Sequence, residues 1–238
     1  MKKFIALGVM SAIMTAPLSG LAFSDISESP HKSEIEFFEK EGIIDGKGDG
    51  RFHPKDNLTR AETAKICAGI VPRLYFEEPN PIFSDVLSTH WAVKEIGTMV
   101  YSINSLAPEY PEILPEKYNE QLFHPESRVN AKYLLDICLE ILGYKANEYE
   151  PIIGYKNTME KAYSCGLLEG VNVGEGQEIT RETAMKIFYN TINAPIVITD
   201  AVIYDFESGK FITSAKVMDG SGEDTPFTSL WMYKNKKR

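Results

Sequence analysis

The stretch GIIDGKGDGRFHPKDNLTRAE, residues 42–62, decides the fold. Its glycines and aspartates lie between two apolar helical patterns, so it predicts a turn from one helix into another. Thr59 and Glu62 have the spacing of a capping box, in which each side chain accepts the other residue's backbone N–H. That motif does not explain Arg60, because a cation in the first helical turn faces the positive end of the helix dipole.

The Thr-Arg pair at residues 59–60 recurs as Thr180-Arg181. An arginine beside the unpaired N–H groups of a helix start predicts an anion receptor, since both attract the same carboxylate or phosphate. The alternative is an arginine that points into water, the usual condition of exposed charges. The sequence leaves both interpretations open.

Metal binding by the opening stretch has little support. As an EF-hand loop it would put Asp45, Asp49 and Asp56 at positions one, five and twelve. Lys47 then occupies position three, where a carboxylate or amide is needed, and the last ligand is Asp instead of Glu. A phosphate-binding loop is excluded, since no Gly-Lys-Ser/Thr ends the stretch. We expect no metal and no cofactor.

Three segments of the chain repeat one pattern. FSDI at 23–26 recurs as FSDV at 83–86, and GIIDG at 42–46 recurs as GLLEG at 166–170. RFHPKDNLTRAETAKI at 51–66 recurs as LFHPESRVNAKYLLDI at 122–137 and, shortened, as EITRETAMKI at 178–187. With Leu58, Val129 and Ile179 aligned, each segment has apolar residues at i, i+3 and i+7, one face of a helix. These are Ala64, Cys67 and Val71, then Leu135, Cys138 and Leu142, then Met185, Phe188 and Ile192.

Each segment therefore predicts a shorter helix, a glycine-rich turn, a loop and a longer helix. We name them units one, two and three, at about residues 23–75, 83–143 and 150–193. The shorter helix of unit one is predicted near residues 32–41, with Ile35 and Phe38 inward; in units two and three it follows HWAVKEIGTMV and NTMEKAYSCGLL. The proline-containing APEYPEILPEKYNEQ of unit two predicts a surface excursion. Residues 194–238 form a β-rich extension, with a hairpin turning at 207–210.

Composition narrows the class of protein. Residues 1–22 have two lysines, an apolar stretch and small residues at the end, the pattern of a secretory signal peptide. Its removal takes away two lysines and no acids, so the formal charge of −9 becomes −11. This acidic balance argues against nucleic-acid binding, and no membrane span is expected after cleavage. The three cysteines, Cys67, Cys138 and Cys165, form no zinc or disulfide pattern, and the first two fit apolar helix faces.

The order of motifs, F-S-D-[IV], G-[IL]-[IL]-x-G, G-x-F-x-P and [LI]-T-R, resembles the S-layer homology (SLH) repeat from Phe23 to about Ile192. Unit one is closest to it. Unit two has Asn130-Ala131-Lys132-Tyr133 where Thr-Arg-Ala-Glu belongs, and unit three has Thr183 in place of the glutamate. The resemblance implies an all-α, pseudo-threefold domain whose central bundle takes one helix from each repeat. Its inter-repeat grooves would hold a secondary cell-wall polysaccharide, often by a pyruvylated terminal sugar.

The resemblance also implies site residues. The family's functional arginine corresponds to Arg60 and Arg181, and to Ala131 in unit two, where the role would be lost. Its motif glycine corresponds to Gly46 and Gly170. The aspartate of F-x-D corresponds to Asp25 and Asp85; the alternative is that these two residues cap helices or turns. The sugar-stacking aromatic corresponds to Trp91, which could instead be a core residue, and unit one has His31 there.

These observations leave three candidate functions for the protein. The first is a non-catalytic, secreted module that anchors the protein at the cell wall or S-layer, with Arg60 or Arg181 bonding a ketal carboxylate. The second is an S-layer-associated structural or assembly protein that contacts other surface proteins, with the hairpin edge as a pairing surface. The third, an enzyme, is disfavoured because His31, His53, His90 and His124 show no metal-ligand or nucleophile spacing. We expect no catalytic residues.

Overall fold

A computed structural model describes residues 23–71, 83–106, 122–146, 153–205 and 210–217. Within these ranges the protein is mostly helical, with two strands near the C-terminal end. The elements are α1 (Lys32–Lys40), α2 (Arg60–Ile70), α3 (Val93–Leu106), α4 (Ala131–Ile141), α5 (Thr158–Ser164), α6 (Arg181–Asn193), β1 (Val197–Asp205) and β2 (Lys210–Val217). None of the described helices is long and apolar enough to cross a membrane.

The predicted apolar faces form one core. All nine residues assigned to the faces of the longer helices are buried, as are Ile35 and Phe38 of α1. Cys67 and Cys138 are fully buried free thiols, so their predicted packing role is confirmed. The Cys138 thiol bonds the side chain of Thr191 on α6, and α4 also packs against α5. Helix α1 of unit one packs on α6 of unit three, and α3 of unit two packs on α2 of unit one. With 14 residues against 11 in α4, α3 is the longer helix of unit two, so the predicted order of helix lengths is wrong in that unit.

A closed ring of backbone hydrogen bonds joins the three units. The Leu58 N–H donates to the carbonyl of Ile179 at 2.8 Å, the Ile179 N–H donates to Val129 at 3.0 Å, and the Val129 N–H donates to Leu58 at 3.0 Å. These are the residues that align the three units in the sequence. Each one is buried, so the ring pairs backbone groups that would otherwise be costly in the core.

The helix starts extend this ring. The N–H groups of Arg60 and Ala61 donate to the carbonyls of Ser127 and Pro125 in unit two, each at 2.9 Å. The first two N–H groups of α4 and of α6 donate in the same way to carbonyls of units three and one: Gln177 and Glu175, then Asp56 and Pro54. The prediction of unpaired N–H groups beside Arg60 and Arg181 is therefore wrong. A carbonyl of the neighbouring unit already occupies each position.

The strands extend the helical body. β1 pairs antiparallel with β2, from Val197 opposite Val217 to Asp205 opposite Lys210, with an irregularity between Thr199 and Ala201. The N–H of Val197 donates to the Leu142 carbonyl at 2.7 Å, which ties the start of β1 to the end of α4. The signal peptide, the whole unit-two excursion, most of the hairpin turn and the end of the chain lie outside the described residues.

Candidate functional site

A cavity of about 450 Å³ opens where the units meet. Three of the predicted site residues line it, and each comes from a different unit: Gly46 from unit one, Trp91 from unit two and Arg181 from unit three. The ring of hydrogen bonds brings these positions together, since Leu58 also lines the cavity. The remaining lining is mixed, with Thr59, Glu62, Lys65, Phe52, Ile44, Ile66 and Met185 among it.

Trp91 lines the cavity and is exposed to solvent. Its side chain is 54% exposed, so the alternative of a core tryptophan is wrong. The His90 ring stacks beside it, with centroids 5.7 Å apart. The His90 ring nitrogen Nε2 in turn contacts Glu126 at 3.2 Å. An exposed indole supported on one side by another ring offers a flat apolar surface to a ligand in the cavity.

Gly46 has a steric reason to be glycine. A Cβ atom there would lie 2.5 Å from the Arg51 carbonyl oxygen and 3.0 Å from the Phe23 ring. The Lys47 N–H donates to the same Arg51 carbonyl at 3.2 Å, which closes the turn. The Gly46 backbone therefore forms part of the cavity wall, at a position where a side chain would not fit.

Arg181 is a buried side chain that donates hydrogen bonds to two partners. Its Nε donates to the Phe52 carbonyl at 2.8 Å and its Nη1 to the Glu62 carboxylate at 2.5 Å. The guanidinium lies over the Phe52 ring, 4.5 Å from the centroid. Glu62 also accepts the Thr59 N–H, and Thr59 accepts the Glu62 N–H, so the predicted capping box is confirmed. The sequence predicts Arg181 as an anion receptor. In the structure Glu62 already pairs with Arg181 and neutralises much of its charge.

The charges around the cavity are balanced and paired. Lys47 bonds Asp56 at 2.7 Å, and Lys65 bonds Asp45. With Arg181 on Glu62, each cation in the cavity wall has an acidic partner. Such a lining suits a polyhydroxylated ligand, because it provides many donors and acceptors without a strong net field.

Arg60 lies outside this cavity and has a different environment. Its guanidinium carbon is 5.1 Å from the Phe123 ring centroid and 4.6 Å from that of Tyr133. Its Nε and Nη2 are buried, and no acceptor within the described parts of the chain bonds them. The alternative of a fully solvated arginine is therefore wrong for Arg60.

Asp25 and Asp85 hold the Phe-His-Pro loops. Asp25 accepts the N–H groups of Phe52 and His53, both at 2.8 Å, and Asp85 accepts the corresponding pair in unit two, both at 2.7 Å. The histidine of each loop has a positive φ, 58° for His53. Burial alone would raise the pKa of Asp25, but these bonds and nearby Arg51 outweigh it, and its pKa is lowered. The turn-capping alternative accounts for both aspartates.

Gly170 and His31 lie at another junction, beside α6. Gly170 has φ +72°, in the left-handed region that glycine favours, and a Cβ there would lie 3.3 Å from Lys186 Cε. Lys186 bonds Glu34 of α1 at 3.1 Å. His31 is half-buried, and burial lowers its pKa. The two residues do not line the cavity around Trp91.

Two further residues in these surroundings, Lys65 and Tyr133, were assigned no role from the sequence. Lys65 lines the cavity one turn after Glu62, and its counterpart in unit three is Lys186. Tyr133 takes the place of Glu62 in unit two, and its hydroxyl is buried without a partner among the described residues. Both residues can be read in the alignment of units, but only the contacts reveal their consequence.

The aspartates of the opening stretch do not converge. Asp49 accepts the Arg51 N–H at 3.0 Å and contacts His53 at 2.8 Å, while Asp45 and Asp56 bond lysines. Within the described ranges, no group of three or more histidine, cysteine, aspartate or glutamate side chains could hold a metal ion.

Comparison with known proteins supports an SLH domain. The family model described as S-layer homology domain matches residues 22–64, which span unit one up to the first turn of α2. No curated protein matches the chain. SLH domains generally anchor proteins to cell-wall polymers as non-catalytic modules, which implies association with the cell surface.

Proposed function

We propose that this protein is a secreted, non-catalytic anchoring module that binds a secondary cell-wall polysaccharide in the cavity between its units. One observation carries the proposal: Gly46, Trp91 and Arg181, which the family resemblance assigns to binding, line the same 450 Å³ cavity although they come from three units. The proposal extends the SLH assignment from residues 22–64 to all three units, arranged with pseudo-threefold symmetry. The ring through Leu58, Val129 and Ile179 supports that extension.

The cavity would recognise a sugar by its two kinds of surface. The exposed Trp91 ring covers the apolar face of a pyranose, and Thr59, Lys65 and the backbone near Gly46 bond its hydroxyl groups. Arg181 braces the wall of the cavity through Glu62. In the finer proposal the sugar is a pyruvylated terminal residue, whose ketal carboxylate bonds an arginine at a unit junction.

Cosedimentation with purified wall sacculi tests the function. Residues 23–238 are mixed with sacculi before and after chemical removal of the secondary polymer. We expect the protein to pellet with intact sacculi and to remain in solution once the polymer is gone. Equal sedimentation in both cases, or none in either, would contradict anchoring by the polymer. Concentration-dependent self-association without polymer would then favour the assembly role.

A further inference from the structure

His90 lies behind two residues of the cavity wall. Trp91 and Glu126 both line the cavity, and the His90 ring contacts each of them. It stacks on the Trp91 indole with an angle of 27° between the ring planes, and its Nε2 lies 3.2 Å from the Glu126 carboxylate. The His90 side chain is only 16% exposed, whereas Trp91 is 54% exposed. A mostly buried ring therefore supports an exposed one.

The other nitrogen of the His90 ring caps the start of α3. The N–H of Ala92, the residue before α3, donates to His90 Nδ1 at 3.1 Å. Ala92 is fully buried, and N–H groups at a helix start have no partner within the helix, so the ring nitrogen satisfies this donor. The His90 carbonyl also accepts the Val93 N–H at 3.1 Å. The start of α3 thus fixes the ring against Trp91.

These contacts determine where the ring carries its proton. Nδ1 accepts the Ala92 N–H and therefore has a free lone pair, so the proton of the neutral ring lies on Nε2 and is donated to Glu126. A second proton has only Nδ1 to go to, where it would face the Ala92 N–H. Two donors cannot bond each other, so a charged ring has to give up the cap.

Positive charge on the ring would gain less from its neighbours than this loss. Within the described ranges Glu126 is the acidic side chain that contacts the ring, and it is 72% exposed, so the pair contributes little. Lys94 and Glu95, in the first turn of α3, carry opposite charges. The Ala92 N–H, in contrast, is buried, and a buried donor without an acceptor keeps its full desolvation cost. We therefore expect the charged ring to leave this position and to withdraw its support from Trp91.

We propose that His90 is a positioning residue for Trp91, which holds the indole in place while the imidazole is neutral and releases it when the imidazole is charged. Histidine side chains ordinarily change charge between about pH 5 and pH 8, so acidification should weaken ligand binding in the cavity. The positioning of Trp91 stands independently of any ligand. The effect on binding of the wall polymer rests on the proposed function.

Acrylamide quenching of Trp91 fluorescence tests the positioning directly. The chain has two tryptophans, so Trp231→Phe leaves Trp91 as the single emitting residue. In that background the quenching constant should rise about twofold between about pH 7.5 and pH 5.5, because a released indole exposes the face that His90 covers. His90→Asn supplies an amide oxygen that accepts the Ala92 N–H and does not titrate. Its quenching constant should be the same at both pH values.

Solubilised secondary polymer, titrated at the same two pH values, tests the consequence for binding. Since only about one ordinary histidine in ten is neutral at pH 5.5, the Kd of the wild type should rise roughly fivefold to tenfold. The Kd of His90→Asn should change by less than about twofold. His124→Asn is the matched control, because that histidine is 55% exposed and asparagine tolerates its φ of 54°. It should keep the pH dependence of the wild type.

The two measurements separate the two claims. A quenching constant that does not change with pH in the Trp231→Phe protein, or that changes equally after His90→Asn, would overturn the positioning role. The expected quenching with a Kd that is equal at both pH values would support that role and contradict its effect on binding. A protein that binds no polymer at either pH contradicts the proposed function, while quenching still decides the role of His90.

Discussion

Replacing each arginine by methionine should have unequal consequences for stability, although the two sites are equivalent in sequence. Arg181→Met leaves the Glu62 carboxylate, whose side chain is 17% exposed, with only the Thr59 N–H, and it deprives the Phe52 carbonyl of its donor. Breaking a buried ion pair at one partner costs about 3–5 kcal/mol. The partial exposure of Glu62 places the expected loss near the lower end, at about 3 kcal/mol.

Arg60→Met is the matched control. It breaks no ion pair with a described residue and removes two buried donors that lack acceptors. The lost contact with the Phe123 and Tyr133 rings, worth roughly 0.5–2 kcal/mol, offsets that relief. We therefore expect the free energy of unfolding to change by less than about 1 kcal/mol. Methionine keeps most of the apolar packing in both variants.

Urea unfolding followed by circular dichroism measures both changes under the same conditions. For a protein of this size, the loss in Arg181→Met corresponds to a Tm lower by roughly 6–12 °C. A loss in Arg60→Met as large as in Arg181→Met would refute the reasoning that Glu62 sets the difference. So would an Arg181→Met protein as stable as wild type.

Three further changes test other parts of the structure. Gly46→Ala should destabilise the fold by about 1–3 kcal/mol, because its Cβ would lie 2.5 Å from a carbonyl oxygen, whereas Gly176→Ala, with open space around it, should change little; thermal unfolding compares the two. Asp25→Ala should lower the free energy of unfolding by about 2 kcal/mol, since two backbone N–H groups lose their acceptor; an unchanged urea midpoint would contradict this. Burial and neighbouring Asp136 raise the pKa of the Glu140 carboxyl from 4.5 to about 8. This carboxyl therefore stabilises the fold fully below pH 4.5, and that contribution is lost as the pH rises to about 8. Glu140→Gln should show a smaller fall in stability between pH 5 and pH 9, and equal falls would disprove the assignment.

Local features could be predicted from the sequence because nearby residues determine them. The capping box needs only Thr59 and Glu62, and the buried helix faces follow from apolar spacing, so both predictions are confirmed. The shorter helix of unit one begins at the predicted residue and ends one residue earlier, at Lys40. For the aspartate of F-x-D, the sequence left two possible roles open, ligand binding and capping. The choice depends on loops 27 and 38 residues further along the chain.

The surroundings of the two arginine side chains could not be predicted, because they depend on contacts between units. Arg181 meets Glu62 across 119 residues of sequence, and Arg60 meets Tyr133 of unit two. The N–H groups at the two helix starts were also predicted to be open to a ligand, whereas carbonyls of the next unit accept their hydrogen bonds. The substitution at Tyr133 was visible in the aligned motifs. Its effect on Arg60 appears only when the units are placed side by side.

Calorimetric titration of solubilised secondary polymer into residues 23–238 tests the proposed function most directly. The variants to compare are Trp91→Ala and, as a control, Tyr163→Ala, which removes an aromatic ring of similar exposure on α5, outside the cavity. We predict saturable binding by wild type and Tyr163→Ala, and at least tenfold weaker binding by Trp91→Ala. No binding by wild type, or equal affinity in Trp91→Ala, would contradict a carbohydrate site at this cavity.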